Sequence, residues 1–250
     1  MTRRVFITIE YDGTPFVGWQ RQTSGLSVQQ VLEEAAAQLT GGDVLVQGAG
    51  RTDSGVHATG QVAHLDVPEK FDANRVMEAL NALTGDHPVT IREAREVDAE
   101  SHARFSATGR RYLYRILPRR QPPALDRNRV WHHRAGMDVV AMQAAAAHLV
   151  GRHDFTSFRA SQCQADSPVR TLDELRIETE GAEIHIHAAA RSFLHHQVRN
   201  IVGTLAMVGC GKWTGDDVAV ALAARDRSAA GPTAPPEGLY LTGVTYPSGI

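Results

Sequence analysis

The chain has 250 residues, of which 42% are hydrophobic, and its 26 basic and 28 acidic residues give a formal net charge of −2. This composition predicts a soluble globular protein with core enough for one large domain or two smaller ones. The two cysteines lack CxxC spacing and no apolar run reaches membrane-spanning length, which argues against a disulfide framework, a zinc site and a membrane protein and indicates a cytoplasmic one.

The first part of the chain alternates between predicted strands and helices. Residues 5–10 alternate like a strand, and Ser27 begins an amphipathic helix that ends at Gly41. Two short β-type runs then enclose a glycine-rich loop, Asp72 begins a second helix, and Val89 begins a further strand. The order β, α, β, β, α, β is that of a ferredoxin-like unit.

The second part of the chain repeats this order once extra elements are set aside. We predict a strand at 111–116, a helix at 138–150, a hairpin of strands 171–178 and 183–190, helices at 193–208 and 216–224, and a last strand at 239–246. The sequence therefore predicts an α+β protein of two related ferredoxin-like (RRM-like) halves, residues 1–105 and 106–250.

One loop carries an unusual charge pattern. Between Gly48 and Gly60 a single carboxylate, Asp53, follows Arg51 by two residues among several glycines. The strands predicted on either side, at 44–46 and 62–65, make this a loop held by rigid elements, where active sites are often placed. A simple hairpin turn, with the arginine neutralising the acid, explains the same residues equally well.

A basic stretch runs from Arg104 to Arg134. It carries nine arginines and one acid, Asp126, so its formal charge is +8. Such a stretch is typical of a phosphate-binding surface, and a solvated face in an arginine-rich protein is the alternative.

Arg199 lies in the middle of a largely apolar predicted helix. With His195, His196 and Gly203 it forms a narrow polar strip opposite the apolar face. A buried arginine without an anion would cost several kcal/mol by order of magnitude, so we expect a carboxylate partner, and Asp53 is the candidate.

Other arrangements of these residues are less favoured. A hydrolytic triad of Ser54, His57 and Asp53 would need its members on separate elements rather than in one tight loop. His57 and His64 lack the companions of a metal site and are expected to be ordinary polar or core histidines. No metal is therefore predicted.

Five segments together resemble the tRNA pseudouridine synthase A family. The most specific is Gly50-Arg51-Thr52-Asp53-Ser54-Gly55-Val56-His57-Ala58-Thr59-Gly60-Gln61-Val62, and the others lie at 11–20, 110–114, 193–203 and 238–241. Ser54 stands where the family usually has alanine, and Gln197 where it often has methionine. Neither departure removes a reactive group.

The resemblance implies a fold, a reaction and the residues that perform it. The two antiparallel sheets would form a continuous mixed sheet with the active-site cleft between the halves. The family isomerises uridine to pseudouridine in the anticodon stem-loop of tRNA, at positions thirty-eight to forty, without a cofactor. Asp53 would be the nucleophile, or would abstract a ribose proton, and Arg199 would hold it charged. Tyr112 would stack on the uracil, and Arg51 would assist base flipping.

The resemblance also implies contacts with tRNA and a homodimer. Two polar segments look like the tRNA-contacting loops of the family, and Arg110, two residues before the stacking tyrosine, is expected to contact tRNA as well. The segments are Ser101, His102, Ala103, Arg104 and Phe105, and Phe158, Arg159, Ala160, Ser161 and Gln162. In a homodimer, the basic stretch of one subunit would hold the tRNA whose uridine enters the other subunit.

Two other functions compete with this one. A non-catalytic tandem RRM-like RNA-binding protein would carry aromatic signatures on its central strands, and these are missing from the sequence. A glycosidase would need two acids on opposite sides of the scissile bond, whereas the loop carries one, with Asp66 at a strand end as the nearest second acid.

Overall fold

The computed structural model describes residues 1–250, which divide into two units. Met1–Gly109 and Tyr240–Ile250 form the first unit, and Arg110–Leu239 forms the second. The last strand of the chain therefore belongs to the first unit. The predicted domains, 1–105 and 106–250, stay a prediction.

Ten strands and five α-helices make up the chain. In order they are β1 (Thr2–Tyr11), α1 (Val28–Thr40), β2 (Gln47–Gly48), β3 (His57–Pro68), α2 (Ala73–Leu83), β4 (Val89–Val97), β5 (Gly109–Pro118), β6 (Trp131–His133), α3 (Val139–Ala146), β7 (Gly151–Asp154), β8 (Val169–Glu180), β9 (Glu183–Ala190), α4 (Gln197–Gly209), α5 (Gly215–Ala224) and β10 (Leu239–Thr245). Short 3-10 helices lie at Ala147–Leu149, Thr156–Phe158, Arg227–Ala229 and Pro236–Gly238.

The sheet of the first unit has the strand order β4-β1-β3-β10, with β2 beside β3. The pairs β1–β3 and β1–β4 are antiparallel, whereas β10 runs parallel to β3 and aligns Tyr240 with His57. On one face, Val5 and Ile7 are fully buried. Because side chains alternate along a strand, Phe6 points to the other face, where it belongs to a small apolar cluster. That cluster also contains Ala49, Val62 and Ala103.

Local sequence signals account for the helices of the first unit. Ser27 accepts a hydrogen bond from the amide of Gln30 over 3.2 Å, and α1 ends at Gly41, whose φ is +81°. Asp72 caps α2 in the same way. The predicted order β, α, β, β, α, β is confirmed for this part of the chain. The strand expected at 44–46 is wrong, because the pairing with β3 begins at Gln47.

The sheet of the second unit has the strand order β5-β9-β8-β7, with β6 parallel to β5. The helix α4 contributes Ile201, Val202 and Leu205, all fully buried, to the core of this unit. The strands β6 and β7 were not among the predicted elements; they are only three and four residues long, too short to give a periodic signal. The α+β class is confirmed, and the sheets are mixed in both units. None of the helices combines the length and the hydropathy that crossing a bilayer requires.

Candidate active site

Asp53 lies in the loop that joins β2 to β3, and this loop is fixed against a second loop of the same unit. Asp53 and Gly18 form an isolated antiparallel β-bridge. The amide of Trp19 donates to the carbonyl of Thr52 over 3.0 Å, and the amide of Val56 donates to the carbonyl of Asp53 over 3.1 Å. The partly buried aspartate therefore projects from a backbone that is held on both sides.

Glycines allow these two loops to approach closely. Gly18 has φ +113°, and a Cβ placed there would lie 2.6 Å from the carbonyl oxygen of Thr52. A Cβ at Gly13 would lie 2.0 Å from the carbonyl oxygen of Val56. Larger residues at either position would force the loops apart and displace Asp53 with them.

Buried polar side chains stabilise the loop around Asp53 by hydrogen bonds. Thr52 is buried, and its hydroxyl lies 2.8 Å from the hydroxyl of Tyr11. The side-chain amide of Gln61, which is fully buried, donates to the carbonyl of Gly50 over 2.7 Å. Gln61 was not singled out from the sequence, because an isolated glutamine in a strand carries no signal of its own.

The histidines near the loop belong to the core, as predicted. His57 accepts a hydrogen bond from the amide of Gly13 at Nδ1 over 3.0 Å, and its ring stacks on Tyr240 with 4.7 Å between centroids. His64 accepts from the amide of Ala103 at Nδ1 over 3.2 Å. Both rings are buried and bound to backbone, so these contacts favour neither the triad nor a metal site.

Arg51 is exposed beside Asp53. Its Nε donates to the side-chain oxygen of Gln20 over 3.1 Å. The hydroxyl of Ser54 donates to the carbonyl of Phe16 over 3.2 Å, so the departure from the family pattern at this position adds a bond within the loop pair.

In the second unit, Tyr112 lies on β5 opposite Ala188 of β9. The ring is partly buried and meets Phe193 edge to face, with 5.1 Å between centroids. The neighbouring Arg110 is buried and donates to the carbonyl of Arg191 over 2.8 Å. Tyr112 is thus an oriented ring rather than a fully enclosed core residue.

Arg199 lies on the first turns of α4 and is partly buried. Its Nε donates to the carbonyl of Ala234 over 2.8 Å, and the amide of Ala234 donates back to the carbonyl of Arg199 over 3.1 Å. The guanidinium is therefore oriented by the loop before β10. The predicted pairing of Arg199 with Asp53 joins the two units and stays a prediction, as does the approach of Tyr112 to Asp53.

The expected polar strip along this helix is wrong in part. The helix begins at Gln197 rather than at residue 193, so His195 and His196 precede it. His196 has φ +62°, which interrupts helical geometry, and the side chain of Gln197 accepts from the amide of Leu194 over 2.8 Å. Apolar periodicity alone could not reveal this start.

The first predicted tRNA-contacting segment divides into a buried and an exposed part. Ser101 and Ala103 are buried, whereas Arg104 is exposed and Phe105 is 75% exposed. The ring of His102 lies 4.4 Å from that of Phe105. The backbone of this segment thus faces the core, and its last two side chains face solvent.

The second segment divides similarly. Phe158 is fully buried and packs on Phe155, with 6.1 Å between ring centroids. Ser161 and Gln162 are exposed, and Arg159 and Ala160 are partly exposed. The direct tRNA contacts expected of this segment stay predictions, and its polar residues have the accessibility that such contacts need.

The basic stretch contains both exposed and engaged arginines. Arg115 donates to the two carboxylate oxygens of Glu183 over 2.8 and 2.7 Å. The ion pair lowers the pKa of the Glu183 carboxyl against the opposing effect of its burial. Seven other arginines of the stretch are exposed: Arg104, Arg111, Arg119, Arg120, Arg127, Arg129 and Arg134.

The sequence and its relatives define the family of this chain. A family model described as tRNA pseudouridine synthase matches residues 7–106 and 145–247. The tRNA pseudouridine synthase A of Rhodospirillum rubrum is 59% identical over 244 residues, which cover 98% of this chain and 88% of the relative. The tRNA pseudouridine synthase A of Rhodospirillum centenum is 58% identical, with 96% of this chain and 98% of the relative covered.

A third relative, the tRNA pseudouridine synthase A of Paramagnetospirillum magneticum, is 57% identical over 97% of this chain and 95% of its own length. The chain therefore belongs to the tRNA pseudouridine synthase family, whose members are enzymes that isomerise uridine to pseudouridine. The resemblance drawn from the sequence is confirmed, and the non-catalytic RNA-binding alternative is not favoured.

Proposed function

We propose that this protein isomerises uridine to pseudouridine in the anticodon stem-loop of tRNA, with Asp53 as the catalytic carboxylate. The observation that carries the proposal is the fixed backbone at Asp53, which is bridged to Gly18 in a member of this family. Acting on an RNA base in a folded stem requires the base to leave its stack, which costs a few kcal/mol.

The reaction moves uracil from one attachment to another on C1′ of the same ribose. The bond from C1′ to N1 of uracil breaks, the bond from C1′ to C5 forms, C5 loses its proton, and N1 gains one. Because the product is an isomer of the substrate, no oxidant or reductant is consumed and no cofactor is proposed. Asp53 would attack the sugar or abstract a ribose proton, and Arg199 would keep the carboxylate charged and oriented.

Aromatic and basic side chains would hold the flipped uridine. Tyr112 would stack on the uracil, and Phe193 would support its ring through the edge-to-face contact. One base–aromatic stack contributes about 1–3 kcal/mol, which offsets much of the cost of flipping. Arg51, which is exposed, would occupy the space that the base leaves or bind a phosphate.

The remaining contacts with tRNA are assigned to the accessible residues of the two segments and to the buried Arg110. Arg104 and Phe105 would meet the RNA from the first unit, and residues 159–162 together with Arg110 would do so from the second. We propose a homodimer in which the exposed arginines between 119 and 134 bind the phosphates of the tRNA that enters the other subunit. Because tRNA is found in the cytoplasm, we propose that the protein acts there.

Mapping of pseudouridine in tRNA transcripts tests the proposal directly. Transcripts incubated with the protein should gain pseudouridine in the anticodon stem-loop. Asp53→Ala should abolish the modification while the dissociation constant for tRNA changes by no more than a few fold. Asp43→Ala, the same change at an exposed acid outside the loop, should behave like the unaltered protein. Modification by the Asp53→Ala variant would refute the assigned role, and binding without modification by the unaltered protein would favour a non-catalytic RNA-binding function.

A further inference from the structure

The loop of residues 226–235 lies directly on the helix that carries Arg199. A Cβ at Gly203 would lie 1.7 Å from the carbonyl oxygen of Pro232, and a Cβ at Gly231 would lie 2.7 Å from the Cα of Thr204. Backbone therefore meets backbone at this contact, and the position of the loop relative to α4 is fixed at short range.

The guanidinium of Arg227 holds the loop in this position by hydrogen bonds. Its NH1 donates to the carbonyl of Gly231 over 2.9 Å and lies 3.4 Å from that of Ala230. Its NH2 donates to the side-chain oxygen of Asn200 and to the hydroxyl of Thr233, both over 3.1 Å. One arm of the guanidinium thus holds residues 230 and 231, and the other joins Thr233 to Asn200 of α4.

Asn200 is the point on α4 where these bonds converge. It is fully buried, its side-chain oxygen also accepts from the hydroxyl of Thr233 over 2.7 Å, and its side-chain amide donates to the carbonyl of Phe158 over 2.8 Å. The hydroxyl of Thr204 accepts from the amide of Gly231 over 3.0 Å. Arg227 is therefore connected to α4 by hydrogen bonds at every step.

One carbonyl of the loop accepts a hydrogen bond from Arg199, the arginine of the proposed active site. Ala234 follows Thr233 directly, and its carbonyl oxygen lies 2.8 Å from Nε of Arg199. A guanidinium held at Nε keeps the plane of its two terminal nitrogens fixed, because Nε, NH1 and NH2 are coplanar. Movement of the 230–234 backbone would therefore rotate the charge of Arg199.

We propose that Arg227 is a positioning residue for Arg199. It fixes the 230–234 backbone so that the carbonyl of Ala234 sets the plane of the Arg199 guanidinium, and it acts through Arg199 rather than on the RNA. The inference rests on the proposed function, in which Arg199 orients the catalytic carboxylate. A lysine at 227 would keep the charge but could not contact Gly231 with one nitrogen and Thr233 and Asn200 with another.

A double-mutant cycle on reaction rate tests the proposal. The variants are Arg227→Ala, Arg227→Lys, Arg199→Lys and the two double variants, measured in single-turnover pseudouridine formation alongside the tRNA dissociation constant. Each 227 variant should slow turnover by roughly 10- to 100-fold with affinity nearly unchanged, since small displacements of a catalytic group have effects of this size. In the Arg199→Lys background the same changes should slow turnover no further. Arg225→Ala, at an exposed arginine two positions earlier, should match the unaltered protein.

A second measurement does not depend on activity. In protein labelled with 15N-arginine, the Nε–H signal that disappears in Arg199→Lys belongs to Arg199. The bond to Ala234 should slow its exchange with water, and Arg227→Lys should remove that protection while the thermal unfolding transition stays cooperative.

The two proposals fail in different ways. Equal slowing by the 227 variants in both backgrounds, or unchanged exchange at Arg199 Nε–H, would overturn the role of Arg227. An Arg199→Lys variant with full turnover would instead overturn the catalytic role of Arg199, and the exchange measurement would still decide whether Arg227 orients it.

Discussion

Burial of His64 predicts a pH-dependent loss of stability in the first unit. The pKa of His64 is lowered from 6.5 to about 4, mainly because burial disfavours the charged ring and also because His102 and Arg4 lie nearby. The negative charge of Asp66 raises the pKa of His64, but by less than the other groups and burial lower it. The ring is 1% exposed and accepts a hydrogen bond from the amide of Ala103, a bond that needs an unprotonated Nδ1.

The sign follows from comparing folded and unfolded states. Because the pKa of His64 is lower in the folded protein, the unfolded chain binds more protons between pH 4 and pH 6.5. The contribution of His64 to stability is therefore complete above pH 6.5, falls as the pH falls, and is lost below about pH 4. The shift corresponds to roughly 3 kcal/mol in all, of which about 2 kcal/mol is lost between pH 7 and pH 5.

Urea unfolding of His64→Asn measures this contribution. Asparagine places an acceptor oxygen where Nδ1 stands but does not titrate, so the variant should lose about 2 kcal/mol less than the unaltered protein between pH 7 and pH 5. Unfolding of the first unit is followed by the fluorescence of Trp19, with Trp131 and Trp213 replaced by phenylalanine. His148→Asn, at an exposed histidine of the other unit, should keep the original pH dependence. Parallel pH profiles for His64→Asn and the unaltered protein would refute the reasoning.

Two further predictions concern contacts on the surface and within the second unit. Phe105→Ala should weaken tRNA binding by about 5- to 150-fold, the range that one base–aromatic stack provides. Val220→Ala, at an apolar residue that is 68% exposed and lies outside the proposed tRNA-binding segments, should leave binding unchanged. Equal affinities for both variants would contradict a stacking role. Gly203→Ala should lower the free energy of unfolding by about 1–3 kcal/mol, because its Cβ would lie 1.7 Å from the Pro232 carbonyl oxygen. Gly136→Ala, where a Cβ meets nothing within 4 Å, is the control for urea unfolding, and no difference between the two variants would disprove the close contact.

Features encoded by neighbouring residues could be predicted from the sequence. The start of α1 follows from Ser27 and the end from Gly41, since capping depends on residues within a few positions. The loop around Asp53 is likewise indicated by its glycines and by the strand predicted at 62–65, which lies within β3. Two glycines outside that loop, Gly13 and Gly18, let a second loop approach it closely, and no local pattern indicates this contact.

Features that depend on distant contacts could not be predicted. β10 ends the second half in sequence order but pairs with β3, because parallel pairing of remote strands leaves no local pattern. Arg115 was counted with the phosphate-binding stretch, yet it binds Glu183, which lies 68 positions further along the chain. The bonds of Arg227 to Asn200 and Thr233 leave no sequence signal either, since an arginine in a polar loop resembles any solvated arginine.

Buried polar groups hold the backbone of both proposed tRNA-binding segments in place. In the first unit, His64 accepts from the amide of Ala103; in the second, Asn200 donates to the carbonyl of Phe158. A buried polar atom without a partner costs free energy, so each bond ties its loop to the core. The backbone that carries the exposed Phe105 is therefore ordered in the absence of RNA. Binding then costs less conformational entropy than it would with a disordered segment. Substitutions at His64 and Asn200 should therefore change tRNA affinity although neither side chain reaches the surface.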